Sequence, residues 1–162
     1  MCNKKVDIFE KDALVAYNAA DDKGKKMLVN LLGERSIIFS RKMTDRVSCF
    51  GDILDLAGMT KQEFDRKHSS LTAPKYALEQ IELFVKVLNE GWTPDWSNGN
   101  ETKYYPYFIW NKSKSGFGFA TTNYYYVSAD AAVGSRLVFK NSELAEFAGK
   151  LFEAIYNEYM KY

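Results

Sequence analysis

The chain has 162 residues, 27% charged and 46% hydrophobic, with 22 basic and 21 acidic side chains and a formal net charge of +1. Such a length buries a sizeable core without disulfides or metals, and the near-neutral balance provides no global field for nucleic acid or an anionic membrane. No stretch approaches the roughly 18 apolar residues of a membrane span. Cys2 and Cys49 stand apart, with no CxxC pair, and the opening MCNKKVDIFEKD lacks the apolar core of a secretory signal. The expected setting is a reducing, cytoplasmic one, without secretion.

The first half reads as helices. Asp12 is a candidate cap for a segment carrying Leu14, Val15 and Tyr17, and Asp21 or Asp22 for a second with Met27, Leu28, Leu31 and Leu32, which Gly33 stops. Ile37, Ile38 and Phe39 give Ser36–Lys42 the look of a short edge strand. Ser48, a good N-cap, leads into the helical spacing Phe50, Ile53, Leu54, Leu56, Ala57, ended by Gly58. Thr60 with Glu63 is a capping-box signature for a short helix around Lys61–Lys67. Pro74 fits a first helical turn, and Tyr76, Ala77, Ile81, Phe84, Val85 and Leu88 follow as an amphipathic stripe closed by Gly91. The connector GWTPDWSNGNE is a loop on its Pro, Gly and small polar residues.

Beyond the loop the period falls to two. Tyr104–Asn111 is aromatic and β-prone, with Pro106 indicating an edge or a bulge. A turn at Ser113–Ser115 leads to a strand in which Phe117 and Phe119 alternate with small residues. A looser stretch, Tyr124–Gly134, reaches a last strand near Arg136–Lys140 with Leu137 and Phe139 on one face. Asn141 caps a final helix with Leu144, Phe147, Ala148, Leu151, Phe152, Ile155 and Tyr159 in one stripe, its Leu144, Phe147, Leu151 and Ile155 expected against the sheet. The predicted organisation is a single α+β domain over 1–162: a helical half 1–91, then an antiparallel meander of about three strands and a C-terminal helix packed on it over 92–162.

Chemistry-bearing patterns are sparse. His68 is the only histidine, with no cysteine beside it in sequence, so neither a Cys–His nucleophile nor an N/S zinc site is spelled out. The run Asp95–Glu101 places oxygen donors at alternate positions, but lacks the distal bidentate glutamate of a calcium loop; a turn with Asp95, Asn98 and Asn100 on backbone amides is the plain reading. The glycines around Phe117 precede no GK[ST] and cradle no phosphate. No acidic pair is marked as a general acid and base, so carboxylate chemistry has background support only. No catalytic residue, cofactor or metal is assigned.

The most informative feature is aromatic. Twelve of the rings, including all three tryptophans, fall between Trp92 and Tyr126. Three readings stay open. The rings are core packing, or a protein-binding face, or a stacking platform for single-stranded nucleic acid with Lys103, Lys112, Lys114 and Arg136 between them. Over residues 92–140, five basic against three acidic residues make a thin phosphate track. The binding candidates are Trp92, Asp95, Trp96, Asn98, Tyr104, Tyr105, Tyr107 and Arg136. One of Trp92 and Trp96 is expected to plug back onto the helix Lys75–Asn89 while the other stays partly exposed, with Trp110 more buried than that exposed partner.

The blocks LNEGWTPDWSNGNETKYYPYF and VGSRLVFKNSELAEFAGKLFEAIYNEY resemble a group of small uncharacterised proteins encoded by phages and prophage-like elements of gut Bacteroidetes. ALVAYNAADDKGKKMLVNLLG and TDRVSCFGDILDLAG are similar to the first half of the same group, and Leu71–Lys75 departs from it. The resemblance implies an accessory role in a bacterial host cell and supplies no activity or catalytic residues. The resulting expectation is a non-enzymatic module that binds a protein partner through 92–126. Single-stranded nucleic-acid binding is the alternative.

Overall fold

The structure, a computed structural model, describes residues 10–33, 36, 42–111, 116–125 and 137–161. It is mixed helix and sheet. In chain order come α1 (Glu10–Ala19), α2 (Asp22–Leu32), α3 (Met43–Arg46), α4 (Phe50–Leu56), α5 (Lys61–Lys67), α6 (Ala73–Leu88), β1 (Lys103–Asn111), β2 (Gly116–Tyr125), α7 (Ser142–Leu151) and α8 (Glu153–Met160).

Local chemistry explains most helix ends. Asp21 accepts the Gly24 N–H at 2.8 Å and caps α2. Thr60 and Glu63 close the expected capping box on α5, each bonding the other's backbone N–H. Pro74 lies in the first turn of α6, and Asn141 accepts the Leu144 N–H to start α7. Gly33, Gly58 and Gly91 all have positive φ, the left-handed region glycine enters without steric cost. Two expected caps move. α1 begins at Glu10, which puts Asp12 inside its first turn, and α4 is capped at Cys49, with Ser48 donating to Asp52 instead.

The sheet is smaller than the sequence suggests. β1 and β2 form a two-stranded antiparallel hairpin, with a register shift at Tyr107/Phe108 that leaves Ala120 unpaired. In place of a third strand, the segment after Leu137 makes a single bridge, Phe139 to Tyr104, with N–H···O bonds of 2.7 and 3.0 Å. The chain turns into the Asn141 cap two residues later, so no ladder extends from it. Arg136, Ser113–Ser115, the 126–134 stretch and Ile37, Ile38 and Phe39 of the proposed edge strand lie outside the described residues.

One buried cluster joins Met43, Val47 and Ile53 to Ile81, Phe84 and Leu88 of α6, to Phe139, and to Leu144, Ala148, Phe152 and Tyr156. Phe84 stacks on Phe152 with centroids 4.4 Å apart and meets Tyr156 edge-on at 5.5 Å. The final helix is not continuous, since Phe152 (φ −106°, ψ 23°) separates α7 from α8. Of the expected stripe, Leu144, Ala148 and Phe152 are buried and Phe147, Leu151 and Ile155 pack against the core partly buried, while the buried face widens to Ala145 and Gly149. The reason lies across the interface: a Cβ on Gly149 would fall inside the Phe119 ring's contact distance and 2.8 Å from the Pro106 Cβ. Large rings on the sheet require small residues on the helix.

The free side of β2 is tied to α8. Asn157 accepts the Phe117 N–H at 2.6 Å and donates to the Phe117 carbonyl, and Glu153 accepts the Phe119 N–H at 3.1 Å. A side-chain amide thus occupies the position that a further strand would take.

Candidate functional site

The loop between α6 and β1 is organised around a buried cation. Lys103, 1% exposed, extends its ammonium to the carbonyls of Asp95 (2.6 Å) and Asn98 (3.0 Å) and to the Glu101 carboxylate (3.2 Å). It also sits 5.4 Å from the centre of the Trp96 ring, where the ring's negative face stabilises it. Glu101 ties the other side: its Oε1 accepts Trp92 Nε1–H at 3.2 Å and its Oε2 accepts the Asp95 N–H at 2.8 Å. Burial pushes the Glu101 carboxyl up, yet these donors outweigh it and hold the group below the usual carboxylate range.

The polar turn follows the plain reading of its sequence. Asp95 Oδ1 accepts both the Ser97 N–H (2.8 Å) and the Ser97 hydroxyl (2.6 Å), which hold its carboxyl below the ordinary value. Asn98 accepts the Asn100 N–H at 3.0 Å. Among the described residues no group of three or more His, Cys, Asp or Glu is arranged to hold a metal ion.

The loop so fastened closes over α6 and forms a groove of about 370 Å³. Trp92, Pro94 and Trp96 line one side, Val85, Lys86 and Asn89 the other, with Val138 also contributing. Its volume falls in the ~300–1,000 Å³ range of ligand pockets. Asn89 is itself fixed, donating to the Val138 carbonyl at 2.8 Å and accepting the Lys140 N–H at 3.0 Å.

The structure therefore brings Trp92, Asp95, Trp96 and Asn98 into one loop and places the other candidates elsewhere. Tyr104 is half-buried in the bridge to Phe139 and edge-on to Tyr124. Tyr105 and Tyr107 belong to the opposite face of the hairpin from Phe108, and Tyr107 is 46% exposed. Arg136 lies outside the described residues. The expected ranking of the tryptophans is reversed: both Trp92 and Trp96 are half-buried along α6, while the strand residue Trp110 is 56% exposed. Trp110 lies at the end of the hairpin where β1 runs on to β2, and meets Phe117 edge-on at 5.3 Å.

Sequence reasoning read Glu101 only as one of the loop's oxygen donors and took Lys103 for a possible phosphate contact. Its ammonium is instead spent on its own loop. The available signal was a lone lysine opening an aromatic strand two residues after an acidic one. Comparison with known proteins adds no relative: no family model, no curated protein and no solved structure matches this chain.

Proposed function

We propose that this chain is a non-enzymatic protein-binding module, accessory to a phage or mobile element, that engages its partner through the 92–126 segment. The observation that carries the reading is the Trp92–Pro94–Trp96 groove, whose walls are fixed before any partner arrives by Lys103, Glu101 and Asn89. A pre-ordered site spends little of its binding energy on ordering side chains and loops, and tryptophan is the residue most enriched among interface anchors. Tyr107, Ile109, Trp110 and Tyr124, each at least 45% exposed, add apolar surface on the adjoining hairpin. The phage setting rests on the sequence blocks alone.

The nucleic-acid alternative loses its central cation, because a buried Lys103 cannot reach a phosphate without dismantling the loop. Both readings are tested together. Immobilised wild-type protein should retain a host or phage protein that the Trp96→Ala variant, folded by circular dichroism, releases. Micromolar binding of single-stranded DNA that weakens steeply with salt, with no protein retained, would reverse the order of the two.

A further inference from the structure

Two charged residues line the tryptophan groove, Glu82 and Lys86, one turn apart on α6. Glu82 is engaged within the protein. Glu90, one turn beyond Lys86, takes Lys140 at 2.8 Å. Lys86 thus has a carboxylate four residues away on either side, the spacing of helix ion pairs. It nevertheless forms no ion pair or hydrogen bond among the described residues, and its side chain is exposed. The charge that the groove offers a ligand is therefore the Lys86 ammonium. The exposed Thr93 hydroxyl adds a second donor at the rim.

We infer that the groove takes an acidic aromatic segment of a partner protein, with a ring side chain against the tryptophans and an adjacent carboxylate at Lys86. This rests on the protein-binding reading and adds to it the chemistry of the partner. Trp92, Pro94 and Trp96 face Val85 across the groove, and an aromatic ring packed on such walls gains more than its area burial alone. An ammonium and a hydroxyl at the rim both donate to a carboxylate. A basic segment would instead set like charge against Lys86. Because Lys86 is exposed, its charge contributes selectivity more than affinity, and salt screens it.

Four peptides blocked at both ends separate the ring from the charge: Gly-Phe-Glu-Gly, Gly-Phe-Gln-Gly, Gly-Phe-Lys-Gly and Gly-Ala-Glu-Gly. They are titrated into the full chain at low salt, and binding is read from the indole N–H resonances of Trp92 and Trp96. The Phe-Glu peptide should bind saturably, about two- to fivefold tighter than Phe-Gln, with Phe-Lys weaker still. The Ala-Glu peptide should be at least about tenfold weaker than Phe-Glu, for want of the ring. Lys86→Glu, a substitution at an exposed position, should reverse the order so that Phe-Lys binds best. Lys23→Glu makes the same change in net charge on the exposed surface of α2 and should leave the order intact. The inference is overturned by absence of saturable shifts at the two tryptophans, by Phe-Gln or Phe-Lys matching Phe-Glu, by a Lys86→Glu variant that keeps the wild-type order, or by Lys23→Glu altering it as much. Any of these, with a captured protein still released by Trp96→Ala, leaves the groove as a protein-binding site and removes only its acidic ligand. A captured protein that Trp96→Ala retains removes the groove reading itself.

Discussion

Helices α2 and α6 are both amphipathic, yet they meet different fates. α6 buries Ala77, Ile81, Phe84, Val85 and Leu88 and contacts α4 and α8. α2 carries Met27, Leu28, Leu31 and Leu32 at the same kind of spacing and buries none of its residues; Met27 and Leu31 are 66% and 68% exposed. Periodicity states which side of a helix is apolar and does not state what will cover it. For α6 the cover is supplied by residues far along the chain, Phe152 and Tyr156. For α2, the described residues provide a contact with α1 and nothing of comparable extent beyond it, and Leu28 and Leu32 are only partly buried.

The sharpest way to break this comparison is at the centre of α6. Phe84 is fully buried between Phe152 and Tyr156, so Phe84→Ala should cost about 3–5 kcal/mol in a denaturant titration. A cost under about 1 kcal/mol would place α6 on the same footing as α2. Next comes the end of the helix. Asn89→Ala strands the Val138 carbonyl and the Lys140 N–H, which should cost about 2–3 kcal/mol. It should also loosen the tryptophan groove, read as a red-shifted tryptophan emission.

The start of α6 gives a pH-dependent test. Burial, and then the 2.5 Å hydrogen bond to Asp65, push the Tyr76 phenol up to about 12, against roughly 10 in an unfolded chain. The folded-state value is the raised one, so the protonated phenol contributes stability below pH ~10 that is lost as pH climbs through about 12. Tyr76→Phe should therefore flatten the alkaline limb of stability against pH, and the difference phenolate titration between wild type and variant should show one group titrating near 12. At the acidic end the sign inverts. Asp65, lowered chiefly by Lys61 and then by Tyr76, contributes stability above the ordinary carboxylate value that disappears as pH falls through the lowered one.

How much of this was legible follows from the reach of each interaction. The Thr60–Glu63 box, the Asp21 and Asn141 caps and the glycine stops involve partners within a few residues, and all stand in the fold as read. The amphipathic face of α6 was equally plain. What failed depended on distant partners. Trp110 belongs to a strand, yet strand membership buries a side chain only where a second layer reaches, and Trp110, at the end of the hairpin where β1 runs on to β2, stays 56% exposed. Trp92 and Trp96 belong to a loop, yet Lys103 and Glu101 draw that loop onto α6. The third strand was read from Leu137 and Phe139 as a pattern, but the Asn141 cap ends the extended run after one bridge. Of the site, the aromatic loop was visible as composition. The buried lysine that shapes it was visible only as a charge.

The smallest effect tests α2. Leu31→Ser removes an apolar side chain that is 68% exposed, so little burial is lost, and serine in place of leucine lowers intrinsic helix propensity by only a few tenths of a kcal/mol. The expected change in unfolding free energy is below about 0.5 kcal/mol, the ordinary range for a surface position. Paired with Phe84→Ala, the result separates patterning from packing: equal periodicity and unequal cost. A loss above about 2 kcal/mol, of the size that follows truncating a buried leucine, would mean that the Met27–Leu31 face is covered in solution. Repeating the measurement across protein concentration then distinguishes cover by the chain's own segments, which is concentration-independent, from cover by a second copy, which strengthens as protein is added.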